Sequence, residues 1–227
     1  MNYPLPGDYI DIHTHGSIIN AGVYAVENLM AHEIRMPGEI PAQPCTYGIH
    51  PWHLTRETIE RLTGNVYSVV ASPNLIAIGE AGFDKLRGPD NKIQIRAFEA
   101  QVIISEEIGK PLFIHCVRAW DELLPAHKRL RPKMPWLIHG FRGNMVLAKQ
   151  LLSKGMYLSF WFDFVMREES SKLLRSLPKE RIFLETDGAD TDIRSIYKKV
   201  AGDLDISVDE LKKVLYKNFY EFFNTFK

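Results

Sequence analysis

Two histidines and an aspartate alternate near the start of the printed sequence, in the stretch IDIHTH (10–15). Imidazole nitrogens and carboxylate oxygens are ligands that zinc, manganese and related divalent ions accept in proteins. Successive side chains of a strand point to opposite faces, so Asp11, His13 and His15 would share one face. An isolated pair of this kind is more often part of a core or a surface than of a metal site. A metal site therefore requires further ligands elsewhere in the chain.

Residues of the same chemical types follow later apolar runs of the sequence. Glu80 and His115 are 35 residues apart, and His139 follows after a further 24. Asp187 comes 48 residues after His139. These separations correspond to one, one and two strand–helix units. Each residue alone also has a structural explanation, such as a buried hydrogen-bonded histidine, an ion pair or a helix cap. A metal site explains all of them together, with His13 and His15.

Short β-type runs alternate with helical segments along the chain. Eight runs fit strands: YIDIHT, YAVENLM (24–30), CTYGIH (45–50), NLIAIGE (74–80), PLFIHC (111–116), PWLIHG (135–140), MYLSFWF (156–162) and RIFLET (181–186). Helical spacing of apolar residues or helix caps mark 91–109, 144–155, 192–201 and 207–224. Alternating strands and helices indicate a parallel sheet, and eight strands favour a (β/α)₈ TIM barrel over an open sheet. No G-x-G-x-x-G follows the first strand, which disfavours dinucleotide binding.

The first connection is unusual, because only about nine residues separate His15 from Tyr24. A crossover helix between parallel strands needs more. We therefore expect the helix between strands 1 and 2 to be missing or abbreviated. In such a barrel, functional residues lie at the C-terminal ends of the strands, so the candidate ligands would converge on one rim. Six ligands exceed the needs of one tetrahedral zinc ion and fit two ions that share a carboxylate.

Length and composition limit the classes of protein to which this chain can belong. The 227 residues fit one domain over 1–227. Lys and Arg number 28, as do Asp and Glu, so a zero formal charge gives no support for electrostatic capture of nucleic acid. Two cysteines exclude a disulfide scaffold. The beginning of the chain has no signal-peptide pattern, and the apolar stretch 156–166 is too short to span a bilayer. We expect a cytoplasmic location, no membrane contact and no obligate protein partner.

An ordered set of short motifs extends over nearly the whole chain. It comprises HTH (13–15), GIHP (48–51), IGEAGFD (78–84), IHC (114–116), IHGFRG (138–143), LETD (184–187) and NFYEFF (218–223). The set resembles the TatD family of metal-dependent hydrolases, in the amidohydrolase-like TIM-barrel superfamily. The resemblance implies two divalent metal ions, with Zn, Mn and Mg as candidates. His13, His15 and Asp187 would hold one ion, and His115 and His139 the other. Glu80 would bridge them, and Asp187 would orient or deprotonate the attacking water, so both carboxylates count as catalytic.

The resemblance also implies an activity. We expect an enzyme, a deoxyribonuclease that cleaves phosphodiester bonds of single-stranded DNA with a metal-activated water. An alternative is the same two-metal chemistry on an amide, lactone or aminoacyl ester of a small molecule or tRNA. An inactive metal-holding scaffold ranks below both, because no ligand is missing.

Four residues near the ligands are candidates for substrate binding: His50, His53, Arg118 and Arg142. His50 and His53 are separated by two residues, where the family often has His-Pro-His. Arg118 follows His115 by three positions, where the family commonly has an Arg after two. Guanidinium groups match phosphate oxygens, and surface ion pairing is the competing explanation.

Three further features have two interpretations each. Trp52 could stack on a base or fill a pocket at the rim. The basic run HKRLRPK (127–133) could attract nucleic acid, although a solvated helix end followed by a loop is favoured. Asp11 could orient a ligand histidine from behind or only fill the barrel.

Overall fold

The computed structural model describes residues 3–16, 20–33 and 36–224. All eight predicted strands are present. They are β1 (Tyr9–Thr14), β2 (Val23–Met30), β3 (Cys45–Gly48), β4 (Leu75–Asp84), β5 (Leu112–Val117), β6 (Trp136–Ile138), β7 (Tyr157–Trp161) and β8 (Ile182–Glu185). They form one sheet in chain order, and the pairings β1–β2, β3–β4, β4–β5, β6–β7 and β7–β8 are parallel.

The last strand of this sheet also neighbours the first. The backbone N–H of Asp187, just after β8, donates to the carbonyl oxygen of His13 in β1 at 3.1 Å. An eight-stranded parallel order that returns to its start is the topology of a (β/α)₈ barrel. The predicted fold class is therefore confirmed.

The helices include all four predicted segments. They are α1 (Ile59–Val69), α2 (Asn91–Ile108), α3 (Trp120–Leu130), α4 (Met145–Leu152), α5 (Phe162–Val165), α6 (Glu168–Arg175), α7 (Ile193–Leu204) and α8 (Val208–Asn224). Three of these helices have capping residues at their ends. Asn144 accepts from the backbone N–H of Leu147 before α4, and Gly109 ends α2 in the left-handed conformation. Ser207 and Glu210 exchange hydrogen bonds in a capping box before α8.

The first two connections differ from a regular strand–helix unit. Residues 15–16 and 20–22, between β1 and β2, belong to no helix, in agreement with the prediction; residues 17–19 of this connection lie outside the described residues. Between β2 and β3 the described residues contain only a short 3₁₀ turn, Pro37–Glu39. The sequence analysis did not predict this second abbreviation.

The described residues form two compact units, which we call the central unit (28–136) and the terminal unit (3–27 and 137–224). In the central unit, the buried ring of Phe98 lies 4.6 Å from that of Phe83 and 5.4 Å from that of Trp136. In the terminal unit, the ring of Phe222 lies 4.9 Å from that of Tyr157. Each unit thus has its own apolar core, and burial of such rings stabilises the fold. One domain over 1–227 stays a prediction, and its ends lie outside the described residues.

No helix among the described residues combines the length and the apolar character that crossing a bilayer requires.

Candidate metal-binding clusters

The terminal unit brings three predicted ligands together: His13, His15 and Asp187. His13 is fully buried in β1, whereas His15 follows the strand end and is partly exposed. The Oδ1 atom of Asp187 lies 3.6 Å from Nε2 of His13 and 3.5 Å from Nε2 of His15. One potential ligand atom from each residue lies within 4.8 Å of the others, so the three could hold one ion. We call them the terminal cluster.

The carboxyl group of Asp187 is held in its ionised form. Burial raises its pKa, but the neighbouring imidazoles of His13, His15 and His139 lower it more. The net effect places the pKa well below its usual range. An ionised carboxylate beside two imidazoles is the donor set that zinc and manganese accept, so the residues present fit a divalent ion.

His139 follows β6 and lies beside the terminal cluster. The centroid of its ring is 4.4 Å from that of His13, and its Nδ1 atom is 3.4 Å from Oε1 of Glu185. Glu185 is fully buried and accepts hydrogen bonds from the hydroxyl of Ser159 and, at 2.7 Å, from the backbone N–H of Gly140. The sequence analysis missed Glu185. Its position two residues before Asp187, on the same strand face, could have indicated it.

The central unit holds a second set of ligands: His50, Glu80 and His115. The Oε1 atom of Glu80 lies 2.9 Å from Nδ1 of His115 and 3.4 Å from Nε2 of His50. The Oε2 atom accepts a hydrogen bond from the amide of Asn28 at 3.2 Å, and Thr46 donates to the same Asn28. All three potential ligands are buried, and one potential ligand atom from each lies within 4.8 Å of the others. We call them the central cluster.

Asp84, at the end of β4, orients His115 from the far side of its ring. Its Oδ2 atom lies 3.1 Å from Nε2 of His115 and accepts from Nε1 of Trp52 at 2.6 Å. Burial raises the pKa of Asp84, but hydrogen bonds from His115, Trp52 and two backbone N–H groups lower it well below its usual range. The ionised carboxylate favours a proton on Nε2 of His115, which leaves Nδ1 as the ligand atom beside Glu80.

The sequence analysis missed Asp84 as well. The residue stands four positions after Glu80 in β4, so strand alternation alone places both carboxylates on one face. The motif IGEAGFD (78–84) contains both carboxylates at this spacing.

The predicted substrate-binding residues have four different surroundings. His50 is buried in the central cluster, where it is a candidate ligand. The ring of His53 stacks on that of His32 at 3.7 Å, and burial together with His32 lowers its pKa. Arg118 is exposed directly after β5. Arg142 is also exposed, with its guanidinium 4.9 Å from the ring of Trp161.

Trp52 has contacts that favour the structural interpretation. Its indole N–H donates to Asp84, and the guanidinium of Arg87 lies 3.7 Å above its ring. One face of the ring is thus covered, and its polar edge is engaged with the residue that orients His115.

Asp11 links β1 to β8. It accepts hydrogen bonds from the backbone N–H of Thr186 at 3.0 Å and from its hydroxyl at 2.7 Å. Burial raises the pKa of Asp11 to about 7, although the bonds from Thr186 oppose the rise. Its hydrogen bonds go to Thr186 rather than to an imidazole, which favours a role in joining the strands that carry the terminal cluster.

A cleft of about 550 Å³ opens beside the terminal cluster within the terminal unit. Polar residues form much of its lining, among them Thr14, His15, Asn20, Thr186 and Asp192. The partly exposed His15 therefore faces space that a polar ligand could enter.

A (β/α)₈ topology with imidazole–carboxylate clusters at its strand ends defines the class of metal-binding barrels. Within that class, the family profile described as TatD related DNase matches residues 18–224. The chain belongs to this family, as the sequence motifs predicted.

Known relatives agree with this assignment. A 3′-5′ ssDNA/RNA exonuclease TatD from Erwinia tasmaniensis is 31% identical over 147 residues, which cover 63% of this chain and 56% of the relative. The chain thus spans little more than half the length of that relative. An uncharacterized metal-dependent hydrolase from Methanocaldococcus jannaschii is 25% identical over 78% of this chain and 74% of the relative. The crystal structure of a TatD homologue from Escherichia coli shares the fold, with a TM-score of 0.79 at 19% identity, over 97% of this chain and 99% of the other.

Proposed function

We propose that this protein is a metal-dependent nuclease that hydrolyses phosphodiester bonds in single-stranded nucleic acid. The observation that carries the proposal is the presence of two histidine–carboxylate clusters at strand ends, one in each unit. The printed name of the Erwinia tasmaniensis relative, an exonuclease on single-stranded DNA and RNA, supplies the substrate class.

Each cluster is proposed to hold one divalent ion. His13, His15 and Asp187 would bind the first, and Glu80 with His115 the second, with His50 as an additional donor. When bound, such an ion lowers the pKa of a coordinated water and stabilises charge on a reacting oxygen. The assignment of His139 to the second ion and of Glu80 as a bridge stays a prediction, as does the choice among Zn, Mn and Mg.

The side chains around the clusters would prepare them for this task. Asp84 would favour a proton on Nε2 of His115, and Glu185 lies 3.4 Å from Nδ1 of His139, which would leave Nε2 of that ring for a cation. The ionised Asp187 can accept a hydrogen bond from the attacking water and so orient it toward phosphorus. This role as a catalytic carboxylate is proposed for Asp187, together with that of Glu80.

Exposed cations are proposed to meet the phosphates of the substrate. Arg118 and Arg142 each follow a candidate ligand by three residues, and both are exposed. A guanidinium group binds two phosphate oxygens at once. His53 is a weaker candidate, because its lowered pKa keeps the ring uncharged at neutral pH.

The direct test is hydrolysis of end-labelled single-stranded DNA and RNA by protein reconstituted with Mg²⁺, Mn²⁺ or Zn²⁺. We expect nucleotides to be released in a metal-dependent reaction and Glu80→Gln to slow the reaction by at least about 10²-fold. Glu60→Gln is the matched control, because Glu60 is exposed and lies in neither cluster. It should retain the wild-type rate.

Two outcomes would contradict the proposal. Equal rates for wild type and Glu80→Gln with every metal would exclude a role for the central cluster in catalysis. Hydrolysis of an aminoacyl ester or a lactone, with DNA and RNA left intact, would instead establish the alternative substrate class on the same clusters.

A further inference from the structure

The terminal unit has a second cleft that the metal-binding clusters do not use. Its volume is about 520 Å³, within the range of about 300–1,000 Å³ that ligand sites commonly have. The segment that follows β6 forms one side, and α5 and α6 form the other. The residues that line the cleft include Arg142, Met145, Lys149, Phe164, Lys172 and Leu173.

Positively charged side chains outnumber negatively charged ones in the lining of this cleft. Arg142, Lys149 and Lys172 line it, and Glu169 is the acidic residue among the lining side chains. All three cations are exposed. Among the ion pairs of the described residues, Lys149 and Lys172 pair with no carboxylate. Their charge is therefore available to an anion.

The floor of the same cleft is apolar. Phe164 and Leu173 are 5% and 6% exposed and form the floor together with Met145. The indole ring of Trp161 lies under the guanidinium of Arg142. An apolar floor bordered by cations matches a nucleotide, in which a flat base is joined to a charged phosphate.

The position of the cleft along the chain connects it to the candidate ligands. Arg142 follows His139 by three residues, and α5 begins directly after β7. Both segments therefore leave the carboxyl ends of strands, where the ligands are also found.

We infer that this cleft binds a nucleotide of the single strand next to the bond that is cleaved. The base would lie on Phe164 and Met145, and Lys149 and Lys172 would neutralise phosphates of the adjoining backbone. The inference rests on the proposed function, since it names the part of the same substrate that the cleft holds. An acidic protein segment would fit the cations but would leave the apolar floor unexplained.

Binding of a fluorescein-labelled single-stranded 12-mer tests the inference, with anisotropy measured in EDTA so that no cleavage occurs. The variant is Lys149→Ala/Lys172→Ala, in which both substituted side chains are exposed. We expect affinity to fall about tenfold. Since the slope of log K against log salt is about −0.7 per phosphate contact for single strands, the variant should lose about 1.4 from that slope. A duplex of the same sequence should be affected less.

The matched control is Lys128→Ala/Lys133→Ala, which removes two exposed lysines from the basic run 127–133. It should leave both affinity and salt slope unchanged. Equal losses in the two variants would mean that only net charge matters, and they would overturn the inference. So would unchanged binding in Lys149→Ala/Lys172→Ala.

Activity on a small diester separates this inference from the proposed function. Bis(4-nitrophenyl) phosphate has one phosphate and no adjoining nucleotide for the cleft to bind, so Lys149→Ala/Lys172→Ala should hydrolyse it at the wild-type kcat/KM. The same variant should show a raised KM for the 12-mer with kcat retained. If wild type cleaves the diester and the 12-mer and the variant matches it on both, the cleft inference fails while the proposed function stands. If wild type cleaves neither, the proposed function fails.

Discussion

Asp84 lies between the side chains of Trp52 and His115, and every hydrogen bond described for its carboxylate is one that it accepts. Its Oδ1 atom accepts from the backbone N–H groups of Leu86 and Arg87, and its Oδ2 atom faces Trp52 and His115. An asparagine offers one acceptor oxygen and one amino group, so it cannot satisfy both pairs of donors. A carboxylate at this position can therefore hold His115 in one orientation, whereas an amide cannot.

From this geometry we expect Asp84→Asn to weaken metal binding at the central cluster by about 10- to 100-fold. The orientation of His115 would be lost while His50, Glu80 and His115 themselves remain. Competition against a fluorescent chelator measures the affinity. Asp121→Asn is the control, since Asp121 is 70% exposed and belongs to neither cluster. Unchanged affinity in Asp84→Asn would show that His115 needs no support from behind.

Asp11 gives a prediction about pH. Its pKa rises from an ordinary value of 3.8 to about 7 in the folded protein, because burial disfavours the charged form. A raised pKa means that the folded state holds the proton more tightly than the unfolded state. The stabilising contribution is complete below pH 3.8 and is lost as pH rises through 7.

We therefore expect the free energy of unfolding of metal-free protein to fall relative to that of Asp11→Asn between pH 4 and pH 7. The change is on the order of 4 kcal/mol, at about 1.4 kcal/mol per pH unit. Urea titrations with a chelator present, at several pH values, measure both proteins. Taking the difference isolates the contribution of Asp11, because the two proteins share every other titratable group. Parallel pH profiles for the two proteins would contradict the expectation.

At this scale the sequence indicated the candidate ligands but not the residues that orient them. His13, His15 and Asp187 stand near the ends of strands, and the order of the strands in the barrel is enough to bring them together. Asp84 lies 3.1 Å from Nε2 of His115 and Glu185 lies 3.4 Å from Nδ1 of His139, and no spacing in the sequence specifies such contacts. Strand alternation limits which face they occupy, but the hydrogen-bond partner is a property of the fold.

Among the elements, β4 and β5 approach each other closely at Gly82. This glycine has a φ of 152° and pairs with His115 across the two strands. A Cβ atom added to Gly82 would lie 1.9 Å from the carbonyl oxygen of His115. No side chain can be accommodated there unless the strand that carries His115 shifts.

We expect Gly82→Ala to reduce the free energy of unfolding by roughly 2–4 kcal/mol, from steric overlap and the unfavourable φ. Gly64→Ala is the control within the same unit. Gly64 lies in α1 with nothing within 4 Å of an added Cβ, so the change should stabilise the helix by up to about 1 kcal/mol. Thermal and urea unfolding distinguish the two. Equal effects would show that β4 and β5 adapt to a side chain at this point.

The elements were predicted with uneven success for physical reasons. Every strand is short and contains β-branched or aromatic residues, and the helices α2, α4, α7 and α8 have apolar residues at helical spacing or clear caps. Four helices, α1, α3, α5 and α6, were not predicted. Two of them have weak intrinsic propensity: α1 contains Gly64 and several β-branched residues, and α3 has Pro125 in its interior. Packing against the sheet overrides these local preferences. The absence of an α-helix from the described residues between β2 and β3 could not be predicted, because this connection is long enough to contain one.

For the whole molecule, bound metal is expected to contribute to stability because each cluster joins distant parts of the chain. The terminal cluster links His13 to Asp187, and the central cluster links His50 to His115. An ion that binds only the folded state stabilises it by about 2.7 kcal/mol when its concentration is 100 times the dissociation constant. For a chain of this length, each kcal/mol raises Tm by about 2–4 °C.

Two ions bound at separate clusters would therefore add roughly 10–20 °C to Tm, and a chelator would remove that increment. His15→Ala and His115→Ala each remove one ligand from one cluster, so each variant should keep part of the metal-dependent increment. The double variant should keep little of it. Differential scanning fluorimetry with and without Zn²⁺ or Mn²⁺ measures the increments, and metal analysis counts the ions. If a single substitution abolishes the whole increment and metal analysis finds one ion in the wild type, the protein has one metal site rather than two.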